Sequence, residues 1–130
     1  VITTESAGRA AGGLLAATAA FQVGLAAGAP WGAAAWGGSH PGQLPTGQRV
    51  ASAASAALLG TVATVAAAPG LVENPVRTRV LRGAAVYLAL GTAANAASRS
   101  PVERVWSPVN AVGAVLLWRA AQGPVAPAHA

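Results

Sequence analysis

Residues 47–68, GQRVASAASAALLGTVATVAAA, decide the fold. After Arg49 the run carries no charge, and Pro69-Gly70 ends it. A helix of about 22 residues, rising ~1.5 Å per residue, is long enough to cross the ~30 Å hydrocarbon layer of a bilayer. Residues 9–29, 79–97 and 105–121 read the same way. Only 8% of the 130 residues are charged, against about 25% in an ordinary soluble domain. A water-soluble fold would have almost nothing polar to turn outward. The sequence therefore predicts one domain over 1–130, an all-α four-helix transmembrane bundle with short loops. A soluble alanine-rich bundle is the competing fold.

The ends of these helices carry local signals. Thr4 or Ser6 is expected to cap the first helix and Pro30 to stop it; Thr46 is expected to cap the second. Asn74-Pro75 places a capping residue before a proline suited to the first helical turn. Ser100-Pro101-Val102-Glu103 reads as a capping box. Ser107-Pro108 is a second start signal, so a short helix, a bend and then the fourth span are expected. The tail beyond Gly123 is a short proline-containing stub. The first span, with a basic start and small-residue end, has the look of a signal peptide; three further spans argue against that.

Charge sets the orientation. All eight basic residues are arginine, which with the alanine excess suggests a GC-rich bacterial genome. Arg9, Arg77, Arg79, Arg82 and Arg119 fall at one face; Arg49, Arg99 and Arg104 fall at the other. Five against three predicts both termini in the cytoplasm and a multi-pass protein of the bacterial inner membrane. A net charge of +5 would suggest nucleic acid in a soluble chain. Here the arginines sit at helix ends, so membrane lipid headgroups are the expected partners and no nucleic acid is.

Several chemistries are excluded. Cysteine is absent, so disulfides and thiolate sites are impossible. Aspartate is absent, so no Ser–His–Asp set exists. The acids are Glu5, Glu73 and Glu103, none in the middle of a span. Small multidrug transporters are similar in size and carry a proton-coupling glutamate in their first helix; this chain has none there. His40 and His129 are the only histidines, too few for a metal or haem site. No cofactor, metal or catalytic residue is assigned.

Polar groups inside a span need a partner or a purpose. Gln22, Asn95 and Asn110, with Ser52 and Ser55, are expected at one level in the outer half of the bilayer. They serve either as interhelical hydrogen bonds or as the floor of a cavity opening outward. Above them the outer loops gather Trp31, Trp36, His40, Arg49, Arg99, Glu103, Arg104 and Trp106. Arg99 and Glu103 are spaced to pair, and Trp31, Trp36 and Trp106 suit the headgroup layer. Small residues at four-residue spacing (Ala20, Gly24, Gly28; Ser52, Ala56, Gly60, Thr64; Gly83, Gly91) are expected to face neighbouring helices.

Residues 29–45, APWGAAAWGGSHPGQLP, followed by Arg49-Val-Ala-Ser52, and residues 95–109, NAASRSPVERVWSPV, resemble an uncharacterised family of four-helix integral membrane proteins from high-GC bacteria. The resemblance covers about a quarter of the chain and implies the architecture, with no activity attached. Three functions follow, in order. The first is an accessory subunit or a lipid- or partner-binding module acting through the non-cytoplasmic loops. The second is a small transporter or channel, built as a homodimer, with the polar layer lining a path. The third is an enzyme on a lipid headgroup, with His40 as base close to Arg49 or Arg99.

Overall fold

A computed structural model of the chain describes residues 2–123; His129 and the rest of the tail lie outside them. Helices α1 (Thr4–Ala27), α2 (Thr46–Ala67), α3 (Asn74–Ala96) and α5 (Trp106–Ala121) are long, and α4 (Pro101–Arg104) is a single turn. Two 3₁₀ turns, Gly32–Ala34 and Trp36–Gly38, lie in the α1–α2 connection. No strand occurs among the described residues. The end of the bundle carrying this connection and α4 is called the loop end below.

Several helix boundaries differ from the expected ones. Thr3 caps α1, its Oγ1 accepting the Ser6 N–H at 3.0 Å. The helix stops at Ala27 because Gly28 adopts φ 101°, a left-handed cap that glycine takes without steric cost, before Pro30 is reached. Thr46 is already helical, and no side chain caps α2. The break between α4 and α5 follows from Pro108, whose ring would clash with the Arg104 carbonyl four residues earlier in an unbroken helix.

Two helices, Thr4–Ala27 and Thr46–Ala67, are long and apolar enough to cross a membrane, with mean hydropathies of 1.5 and 1.7. The other two expected spans fall short for visible reasons. Helix α3 carries Arg77, Arg79 and Arg82 in its first turns. Helix α5 is only 16 residues long, about 24 Å at ~1.5 Å per residue.

The helices pack in the spatial order α2, α1, α5, α3, and α2 barely touches α3. The α1–α2 seam is the tightest. A Cβ on Gly8 would lie 2.5 Å from the Ala66 carbonyl oxygen, and one on Gly12 would lie 2.9 Å from Ala67 Cβ. These glycines, with Ala7, Ala11 and Leu15, form the buried stripe of α1. The expected glycine stripes are only partly used. Gly24 lies against the Trp31 ring and Gly91 against Asn110, whereas Gly60 and Gly83 face open space.

Arg77 closes the end opposite the loops. Its side chain is buried and donates from Nε to Val65 O at 3.3 Å, from Nη2 to Ala66 O at 3.1 Å and from Nη1 to Ala120 O at 3.2 Å. These carbonyls belong to the last turns of α2 and α5, which lack intrahelical partners and carry the negative end of each helix dipole. One guanidinium thus ties three helices together. At the loop end Arg49 does the same for α1, donating from Nε to Ala26 O at 3.0 Å. Both arginines were expected to mark topology by meeting headgroups; both instead cap helices within the protein.

Candidate functional site

The α1–α2 connection folds back over the loop end of the bundle. Gly32 N–H donates to Gly42 O at 2.8 Å, closing the segment on itself. Trp36, Gly37 and Gly38 all have positive φ, of 51°, 75° and 70°. For Trp36 this is an unusual conformation, held in place by its contacts. Its indole N–H donates to the fully buried Ser52 hydroxyl at 3.1 Å. The next N–H, of Gly37, donates to Glu103 Oε1 at 3.2 Å. Trp106 Nε1 donates to Ala34 O at 3.0 Å. Phe21 stacks on Trp31 with centroids 5.7 Å apart, and its ring lies 4.7 Å from that of Trp106.

Glu103 is buried, 8% exposed. The expected capping box is present in altered form. Ser100 Oγ accepts the Glu103 N–H at 3.4 Å, but the return bond runs through Ser98: Ser100 N–H donates to Ser98 Oγ at 3.1 Å, and that hydroxyl donates to Glu103 Oε2 at 2.7 Å. The Arg99–Glu103 pair that the spacing allowed, as a lesser role beside the capping box, is not formed. Arg99 is exposed, and the ion pair among the described residues is Arg9–Glu5 on the surface of α1.

Below this cover, where α2 and α3 part, lies a cavity of about 480 Å³. Gln22, Ser55, Asn95, Glu103 and Asn110 supply its polar lining; Phe21, Trp36, Tyr87 and Trp106 supply aromatic rings. A second, apolar cavity of about 290 Å³ continues along the α2–α3 gap towards Arg79, lined by Leu15, Val62, Val80 and Leu117. Leu58, Leu59, Tyr87 and Leu88 line both. The result is an elongated groove, polar near the loop end and apolar further down, with Leu58 and Tyr87 exposed at its mouth.

Of the eleven candidate binding residues, six meet in this groove (Gln22, Trp36, Asn95, Glu103, Trp106 and Asn110), as does Ser55 of the polar layer. Trp31, His40, Arg49, Arg99 and Arg104 do not line it. Trp31 covers Gly24 from outside. His40 is exposed, its Nδ1 3.2 Å from its neighbour Ser39 Oγ, while Arg49 is engaged with Ala26 and Arg104 donates to Ser98 O at 2.7 Å. Among the described residues no hydrogen bond joins His40 to Arg49 or Arg99. Phe21 and Tyr87 are lining residues the sequence did not single out. Their signal was their rarity, since the chain has one Phe and one Tyr.

The carboxamides of Gln22, Asn95 and Asn110 have no protein hydrogen-bond partner among the described residues, and Gln22 Oε1 is also shielded from solvent. Of the two roles open to them, the interhelical hydrogen bond is not made among the described residues. Polar groups with unused donors and acceptors, grouped in one cavity, can hydrogen-bond a guest. No protein-family model, curated protein or solved structure matches the chain.

Proposed function

We propose that this chain is a small integral membrane protein of the bacterial inner membrane that binds an amphiphilic molecule in the groove between α2 and α3. The reading places four helices in the bilayer and both termini in the cytoplasm. One observation carries it: the groove opens sideways between two helices and changes along its length from hydrogen-bonding to apolar. A molecule with a polar head and a hydrocarbon chain matches both parts, with the head near Gln22, Asn95 and Asn110 and the chain along Leu59, Val62 and Val80.

Exposure of the outer helix surfaces supports the bilayer. Leu90 is 67% and Val115 69% exposed, and Leu58, Val86 and Val112 are each more than half exposed. Apolar side chains spread over several helices cost little in lipid and much in water. The arginines of α3 sit in its first turns, where long side chains reach the headgroup region. The lower part of the groove is apolar, so a single chain offers a binding site and no continuous polar path. This favours a binding module over a channel.

The test is purification in a mild detergent followed by native mass spectrometry. The wild-type chain should retain an amphiphile of defined mass, and Leu58→Trp, which narrows the mouth at an exposed position, should lose most of it. A chain that stays monodisperse in buffer without detergent, or retains no amphiphile, refutes the proposal.

A further inference from the structure

We infer that the head of the bound molecule is cationic, an alkylammonium or quaternary ammonium group, held by Glu103 and aromatic rings that line the same cavity. This rests on the amphiphile reading above and narrows it to a class of ligand. Among the charged residues, Glu103 alone lines the larger cavity; Arg79 reaches only the apolar one. Of the arginines nearest in sequence, Arg104 donates to Ser98 O, and Arg99 is exposed and makes no ion pair with Glu103. Glu103 thus presents a carboxylate with no cation paired to it among the described residues. Each of its oxygens accepts one hydrogen bond, from Gly37 N–H and from Ser98 Oγ. A carboxylate oxygen has room for a second.

The rings complete the site. Trp36, Trp106, Phe21 and Tyr87 line the same cavity, and the negative face of an aromatic ring attracts a cation, most strongly where water is excluded. An anionic head would meet the carboxylate without a compensating cation, and desolvating two like charges together is costly. An uncharged head would satisfy the carboxamides and leave the carboxylate and rings unused.

The experiment uses the full chain in maltoside micelles, which are uncharged, with three probes sharing one dodecyl chain: dodecyltrimethylammonium, dodecanol and dodecyl sulfate, each kept at a small mole fraction of the detergent, below the dodecyl sulfate content at which the helices unfold. Binding is read as saturable change of tryptophan fluorescence, since Trp36 and Trp106 line the cavity. The ammonium probe is expected to bind at least about tenfold more tightly than either other probe. Glu103→Gln, which keeps an acceptor for Gly37, should cut that preference to about threefold or less, and Tyr87→Leu should reduce it in part. If Glu103→Gln does not fold, Tyr87→Leu decides. Equal saturable binding of all three probes overturns the cationic head and leaves the amphiphile reading standing. An ammonium preference untouched by the variants also overturns it, and no saturable binding by any probe removes both.

Discussion

Arg77→Ala should be among the most damaging single substitutions in the chain. The guanidinium donates to three carbonyls at helix ends, Val65 and Ala66 from α2 and Ala120 from α5; of these Ala120 O also accepts the Gly123 N–H at 3.3 Å, so Val65 and Ala66 depend on Arg77 most. A hydrogen bond to a charged group contributes about 1.5–3 kcal/mol, so three give a ceiling of about 4.5–9 kcal/mol. Water reaching the end of the bundle would satisfy some of the orphaned carbonyls. We therefore expect a loss of about 4 kcal/mol, a large part of the ~5–15 kcal/mol typical of a folded domain. Arg77→Lys keeps the charge but places its donors on one nitrogen, which cannot span three carbonyls on two helices; about 2 kcal/mol should be lost. Arg79→Ala, at an exposed position, should stay within ~0.5 kcal/mol of wild type. The assay is reversible unfolding by dodecyl sulfate in maltoside micelles, followed by far-ultraviolet circular dichroism. An Arg77→Ala protein within about 1 kcal/mol of wild type, or no weaker than Arg79→Ala, would refute the clamp.

Two glycines make a matched pair for the same assay. Gly8→Ala drives a methyl group into the Ala66 carbonyl and should cost about 1–3 kcal/mol. Gly60→Ala meets nothing within 4 Å and should be neutral or stabilising by up to ~1 kcal/mol, from helix propensity alone. Equal effects at the two sites would contradict the α1–α2 packing. Because the chain has no cysteine, single replacements report topology cleanly. Ser39→Cys should react with an impermeant maleimide in intact cells, and Ser6→Cys only after the cells are broken. The opposite pattern would invert the orientation.

The helices were legible because long uncharged runs bounded by proline and glycine admit few other structures. Their ends were less so. Pro30 and Gly28 both signal a stop, and only the backbone shows that Gly28 acts first. The polar layer was legible by depth alone: Gln22, and Asn95 and Asn110 somewhat nearer the helix ends, fall in the same half of the bundle whatever the packing. Whether they bond to each other or line a space depends on the rotation of each helix, which alanine-rich faces do not specify. Arg49 and Arg77 were misread for a related reason. An arginine at a helix end suits a headgroup and an orphaned carbonyl equally well in sequence. Which it meets depends on whether a second helix terminates beside it. Gly8 and Gly12 were overlooked because glycine is common here (16 residues) and nothing in their spacing separates them from Gly60 and Gly83.

The groove and the Arg77 clamp belong to one arrangement. The helices contact in the order α2, α1, α5, α3, and a ring of four would close by bringing α2 against α3. At the Arg77 end it does close: a short connection joins the two helices and the guanidinium bonds α3 to the last turn of α2. At the loop end no side-chain hydrogen bond joins α2 directly to α3 among the described residues. Trp36 engages Ser52 on α2, while α3 is held to α5 through Ser107 Oγ on Thr92 O at 2.9 Å. In water such a split would tend to collapse, because its walls are apolar. In a bilayer the driving force for collapse is nearly absent, since a lipid chain fills the gap as well as a helix does. A groove clamped at one end and splayed at the other is thus the form that the proposed bilayer setting would favour over water. For the same reason, the membrane reading and the binding reading stand or fall together.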